Sequence, residues 1–301
     1  MPADIRAVRP FSLCRSWMFV AGADEALLNH AATCGADVLI QELEDFTPPQ
    51  KREAARSLAT DTYDLWRKSG AIAAVRINPL AGDGIADLAA VMEGRPDVVA
   101  LPKVRHAGHV RDLDEAVREH EIRLGIPPGT TKLLPNVESA EGLVNTLAIA
   151  TASERVIGCL LASEDLAADL GAERLPDSSE LDYARQRFLI ECRAANVIAV
   201  DCPFTWADEK GVAADTKRAR RWGYKAKSAV ALDHASLINT VFTPGENEVA
   251  AAERIVTTFE AAKAAGRVNV ELDGSLLEVP TYAAAKRLLE RAEAFRKFEA
   301  M

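Results

Sequence analysis

The sequence predicts a TIM (β/α)8 barrel with a C-terminal helical extension, and three observations carry that prediction. Eight short apolar or β-branched runs alternate with longer helical patterns, the runs are almost continuously apolar, and the chain has 301 residues. Near-continuous apolar strands separated by helices belong to a parallel sheet covered on both faces. One closed barrel takes roughly 250 residues. Eight strand–helix units favour closure over an open doubly wound sheet.

The first strand is read at Ser16–Val20, followed by a helix over about 24–34. Val38-Leu39-Ile40 runs toward Glu44 as the second strand, and Pro48-Pro49 opens a helix with Lys51 to Leu65 as its body. Prolines suit that first turn, where the missing N–H costs nothing. The third strand is 73–78, followed by Gly82-Asp83-Gly84 and a short helix; the fourth is 98–103 and the fifth 132–138. The sixth spans 156–162, the seventh 197–201 and the eighth 228–232. Beyond it, 248–264 reads as a long helix, 267–274 as a short hairpin and 282–298 as a final helix. Residues 1–242 are therefore expected to form the catalytic barrel, and 243–301 an extension that packs on it or reaches a neighbouring subunit.

Composition narrows the function. With Lys+Arg 36 and Asp+Glu 45 the formal charge is −9. Mean hydropathy is −0.05 and the sequence pI about 5.2. That balance excludes a broad basic footprint for nucleic acid or an anionic membrane surface. No run approaches the roughly 18 apolar residues of a membrane span, and Met1–Pro10 lacks the apolar core of a secretory signal. The cysteines (Cys14, Cys34, Cys159, Cys192, Cys202) are odd in number and scattered, which fits free thiols in a reducing cytoplasm. Neither a G-x-G-x-x-G nor a P-loop motif occurs, nor the G-x-S-x-G nucleophile elbow.

Barrel chemistry sits at the C-terminal ends of the strands, and there the polar residues concentrate. Glu42, Glu44 and Asp45 close the second strand, Arg76 and Asn78 the third, Lys103 the fourth and Glu138 the fifth. Asp165 follows the sixth, and Asp201 ends the seventh. Carboxylates on neighbouring strands five and six lie ~5 Å apart at the backbone, so Glu138 and Asp165 can share one cation. With oxygen donors alone, that ion is Mg2+ or Mn2+. The same two residues also suit first-turn acids or N-caps of the following helices, after Ser139 and Ser163 starts. Arg76 reads either as a salt bridge to Glu44 or Asp45, or as a bidentate clamp for a substrate carboxylate. Adjacent residues of a strand face opposite ways, so one of Glu44 and Asp45 is expected to point into the site. The histidines lie mostly in helices or loops away from the strand mouths, His234 excepted.

Five motifs in order resemble the HpcH/HpaI aldolase/citrate lyase family, on the side of the citrate lyase beta-subunit-like proteins. They are Leu43-Glu44-Asp45, Val75-Arg76-Ile77-Asn78-Pro79, Leu101-Pro102-Lys103-Val104, Val137-Glu138-Ser139-Ala140-Glu141-Gly142 and Ser163-Glu164-Asp165 running to Gly171. Matching segments run from Arg15-Ser16-Trp17 to Glu278-Val279-Pro280, nearly the whole chain. The resemblance implies a Mg2+-dependent carbon–carbon lyase, trimeric or a multiple of that. Glu138 and Asp165 match the metal ligands, and Arg76 matches the residue that holds the keto-acid carboxylate. Glu44 and Asp45 match acidic residues around the metal waters. Arg15, Asn78 and Lys103 join Arg76 as substrate-binding candidates. Glu278 stands where longer members carry a C-terminal Asp acid/base that reaches in from a neighbouring subunit.

The implied reaction cleaves or forms a 3-hydroxyacyl-CoA of the citryl-, malyl- or citramalyl-CoA type, giving a 2-keto acid and an acyl-CoA. Two departures bear on the substrate. Family members that use coenzyme A often have Pro-Gly and basic residues after the first strand, whereas this chain has Ala21-Gly22-Ala23-Asp24-Glu25. Near the eighth strand Ala231-Leu232 replaces a common His-Pro. Both favour the alternative of a CoA-free aldolase releasing pyruvate or oxaloacetate. Thioester hydrolysis and a non-catalytic subunit of a lyase complex are the other readings.

Overall fold

The computed structural model describes residues 9–267 and 270–300. The eight strands are β1 (Ser16–Ala21), β2 (Val38–Glu42), β3 (Ile72–Arg76), β4 (Val98–Leu101), β5 (Lys132–Val137), β6 (Gly158–Leu161), β7 (Ile198–Asp201) and β8 (Ala226–Ala229). They close in sequence order, all parallel, with β1 paired to β8. The architecture is the expected TIM barrel. Because helices cover the outside and side chains fill the inside, both faces of each strand are buried, which is why the strands read as unbroken apolar runs. Trp17, Val38, Ile72, Val98 and Leu134 fill the interior. Met18, Leu39, Val75, Val99 and Leu133, at the alternating positions, pack outward under the helices.

Two elements differ from expectation. The helix read over 51–65 is two, Arg52–Ser57 and Ala59–Ser69, behind a 3-10 turn at Pro49–Lys51. The eighth strand ends at Ala229 rather than spanning 228–232. Its centre is the wholly buried pair Lys227 and Ser228, polar residues that conceal a core strand, while the apolar Val230-Ala231-Leu232 beyond it mimics one. Lys227 Nζ donates to Asp201 Oδ2 at 2.7 Å and to the Cys202 carbonyl at 2.6 Å, and pairs with Asp215 Oδ2 at 2.6 Å. Arg185 bridges the same two aspartates at 2.6 and 2.8 Å. Two cations and two carboxylates balance, and this is the condition for such a cluster to survive burial.

The chain divides into two compact units between Phe242 and Thr243. The second holds the helix Glu246–Ala264, a hairpin of β9 (Glu271–Leu272) and β10 (Ser275–Leu276), and the helix Val279–Glu299. Asp273 (φ 52°) and Gly274 (φ 78°) make the two-residue turn, both left-handed as a type I′ hairpin requires. Val268 and Asn269, part of the expected hairpin, lie outside the described residues, as do Met1–Val8 of the N-terminal stretch. Ala262, Val270 and Leu277 form the small core of this unit, and Phe259 stacks on Tyr282 at 4.6 Å. All five cysteines are free. Among the described residues no helix is long and apolar enough to cross a membrane.

Candidate active site

The mouth of the barrel is built around Arg76, the last residue of β3. Its side chain is 5% exposed, and its guanidinium lies over the Phe19 ring at 4.9 Å and near Phe46 at 5.9 Å. Arg76 Nε donates to Glu42 Oε1 at 2.9 Å. Glu44 and Asp45 each approach Nη2 at 3.4 Å, and Glu138 Oε1 stands 3.7 Å from Nη1. Burial would weaken the arginine's charge, but Glu42, Glu138 and Glu44 around it raise its pKa.

Glu42 is the partner that the sequence reading passed over. It sits opposite Arg76 in the β2–β3 register, and that pairing was the available signal. Glu44 and Asp45 both reach the arginine, contrary to the expectation that one would turn away. They lie past the end of β2, in a turn where strand alternation no longer applies. Glu44 also bonds Lys103 Nζ, and Asp45 Oδ1 lies 3.8 Å from the same ammonium. That bond to Glu44 raises the Lys103 pKa. Lys103 has φ 55°, an uncommon conformation for a side-chain-bearing residue and one that clusters at functional sites.

Glu138 ends β5 in the same mouth. Ser139, not Glu138, caps the helix that follows, accepting from Gly142 N at 3.1 Å. Glu138 is consequently free of the capping duty that the sequence allowed it. It is 3% exposed, and neither carboxylate oxygen has a hydrogen-bond partner. Burial pushes its pKa up to about 8, with Asp165 and Glu44 reinforcing and Arg76 opposing. Asp165 lies in the first turn of the helix Ser163–Leu170, on the neighbouring strand's loop.

Two cavities meet at Asp165. One, about 170 Å³, is lined by Phe19, Asp45, Arg76, Leu160 and Asp165 among others. The other, about 210 Å³, is lined by Lys103, Arg105, Glu138, Ser139, Asp165 and Asp169. His109, which the sequence placed away from the strand mouths, lines a further cavity of about 290 Å³ beside Lys103. A larger cavity of about 370 Å³ near Phe204 and Arg218 lacks the mouth carboxylates, so chemistry rather than size locates the site.

Two substrate-binding candidates are corrected. Arg15 precedes β1, at the opposite end of the barrel, and its guanidinium is held by Asp37 at 2.8 and 2.9 Å. A residue before a strand lies at the bottom rim, where barrels keep stability rather than chemistry. Asn78 stands at the mouth, but its amide nitrogen is committed to the Leu43 carbonyl at 2.8 Å and to Asp87 Oδ2 at 2.7 Å. It braces the loop that carries Glu44 and Asp45. Glu278 is the N-cap residue of Val279–Glu299 in the second unit.

The donor set suits a hard cation. Glu42, Glu44, Asp45, Glu138 and Asp165 are five carboxylates against two cations, Arg76 and Lys103, and Glu138 has two buried oxygens without partners. Among the described residues no group of three or more His, Cys, Asp or Glu gathers as a closed metal cage. Glu138 and Asp165 would supply two carboxylates and leave other positions to water and substrate, the habit of Mg2+ rather than of Zn2+.

A closed parallel barrel whose mouth carries oxygen donors around one clamped arginine defines a class of protein, and the family model agrees with it. The chain belongs to the HpcH/HpaI aldolase/citrate lyase family, matched over residues 15–232. It is similar to the citrate lyase subunit beta of Leuconostoc mesenteroides subsp. cremoris, 33% identical over 94% of this chain and 94% of that protein. It is also similar to a (3S)-malyl-CoA thioesterase of Cereibacter sphaeroides, 28% identical over 95% of this chain and 97% of that one. Among solved structures it resembles the citrate lyase beta subunit of M. tuberculosis complexed with oxaloacetate and magnesium. The two are 26% identical with a TM-score of 0.64, covering 80% of this chain and 100% of that chain.

Proposed function

We propose that this protein is a Mg2+-dependent carbon–carbon lyase. It cleaves or forms a 3-hydroxyacyl-CoA of the citryl-, malyl- or citramalyl-CoA type, with a 2-keto acid and an acyl-CoA on the other side of the reaction. The observation that carries this reading is Glu138, a buried carboxylate with two unpartnered oxygens, beside Asp165 and Arg76. Glu138 and Asp165 would hold the ion, which supplies a Lewis acid when bound. Arg76 takes the substrate carboxylate through its planar fork. Glu44 and Asp45 orient the waters around the ion, and Lys103 keeps Glu44 in place. In the cleavage direction the substrate hydroxyl loses its proton, the carbon–carbon bond breaks, and the thioester fragment leaves as an enolate that takes up a proton. Glu278, from a neighbouring subunit of a homo-oligomer, is assigned that proton transfer.

A CoA-free aldolase acting on a hydroxy keto acid is the second reading. Asp24 favours it: at the rim after β1, where basic residues would meet a phosphate, its carboxylate accepts from Leu27 N at 3.0 Å to cap a helix. Likeness to malyl-CoA thioesterases keeps hydrolysis, with water in place of the carbon leaving group, as a variant at the same site. Calorimetric titration of the Mg2+-loaded protein with acetyl-CoA, then with pyruvate and oxaloacetate, separates these readings. Binding of both an acyl-CoA and a keto acid supports the acyl-CoA lyase. Keto-acid binding without any response to acyl-CoA supports the aldolase, and no response to either points to a non-catalytic subunit.

A further inference from the structure

Asn136 is a polar residue of the barrel interior for which the site described above has no use. It lies on β5 two residues before Glu138, is wholly buried, and neither its amide nitrogen nor its carbonyl oxygen has a hydrogen-bond partner. Leaving such a group unpaired costs about 1–3 kcal/mol, and buried amides in folded proteins are nearly always satisfied. Packing does not call for an amide here. The preceding interior residue of the strand is Leu134, and the register partner across β6 is Leu160, both apolar and buried.

The position is specific. Arg76 is in register with Ala100, and Ala100 with Leu134. Strand tilt raises each successive strand by about one residue along the barrel axis, so Asn136 rather than Leu134 stands level with Arg76. Residues two apart on a strand share a face, with about 7 Å between them along the chain. The two side chains together span that gap. An unpartnered amide donor therefore lies directly beneath a carboxylate with two unpartnered acceptors.

We propose that Asn136 is a positioning residue for Glu138: its amide Nδ2 donates to the carboxylate when Glu138 takes its metal, and so fixes the direction of the ligand. The inference rests on the metal site proposed above. Groups that orient a metal ligand change metal affinity by about tenfold to a hundredfold when removed. Leu is close to Asn in volume and matches its apolar neighbours, so it removes the donor without opening a cavity.

The test measures Mn2+ affinity of the full chain by electron paramagnetic resonance, beside the thermal midpoint of the metal-free protein, for the native sequence and Asn136→Leu. The expected result is a metal-free midpoint equal to or above that of the native protein, with Mn2+ binding weakened about tenfold or more and an altered bound-Mn2+ spectrum. A folded Asn136→Leu protein whose Mn2+ affinity stays within about twofold of the native value overturns the inference. Should that variant fail to fold, Asn136→Ala carries the same test with the same threshold. If the native protein itself binds no Mn2+, the metal site is wrong, a failure distinct from a bound ion that ignores Asn136.

Discussion

Glu138 has an unusual titration for a surface-connected acid, and its sign can be worked out. Burial raises its pKa to about 8, so in the metal-free fold the carboxyl keeps its proton at neutral pH. Metal binding must displace that proton. Mg2+ affinity is therefore expected to rise by about tenfold per pH unit from pH 6 to 8 and then to level off, which calorimetry in buffers of different ionisation enthalpy would detect as proton release. The same shift means that the folded state holds the proton more tightly than the unfolded chain. The group's contribution to metal-free stability is thus full below the ordinary carboxylate range and is lost as pH rises through about 8. A pH-independent affinity would remove Glu138 from the ligand set. Arg76→Lys keeps the charge but loses the fork. Giving up one charge-assisted bond of about 1.5–3 kcal/mol should raise KM for the keto acid about tenfold to a hundredfold. Steady-state kinetics that show no change in KM would leave Arg76 as framework.

At the scale of elements, the loop after β2 carries the acids and the loop after β3 holds it in place. Asn78 joins them by way of the Leu43 carbonyl and the wholly buried Asp87, whose other oxygen takes Arg56 at 2.8 Å. Asn78→Ala strips donors from both acceptors and should cost about 1–3 kcal/mol in denaturant unfolding. Activity should fall further than stability does, because Glu44 and Asp45 lose their support. Unchanged stability would mean that the loop is held elsewhere. Gly22, at the end of β1, shows how tightly these loops pack: a Cβ there would sit 2.4 Å from the Glu42 carbonyl. Element types could be read from the runs because parallel strands are buried on both faces. The limits of β8 could not, since Lys227 acquires its burial only when Asp201 and Asp215 arrive from other elements.

For the whole molecule, the second unit and the proposed homo-oligomer belong together. If Glu278 completes a neighbour's site, Glu278→Ala should lower kcat by about a hundredfold or more, the usual range for losing a general acid or base. Mg2+ binding and the elution volume in size-exclusion chromatography should stay as they are. Full turnover by that variant would reject the role. Mixing Glu278→Ala with Arg76→Ala protein offers a sharper form of the same experiment, since recovered activity requires that the two residues act from different chains.

The sequence by itself determined the barrel, the division near Phe242 and the ring of charges at the strand ends. Periodicity and strand-end position are local properties, and local properties survive in a one-dimensional reading. It also placed Glu138, Asp165, Arg76, Glu44 and Asp45 in one mouth, because the eightfold order of a closed barrel turns strand number into position. Only the tertiary structure decided which charge meets which. Glu42 took Arg76 through register, Asp37 took Arg15 at the opposite rim, and Leu43 and Asp87 took the amide of Asn78. A buried charge is defined by the partners that the fold brings to it, and those partners lie 9 to 35 residues away in these cases.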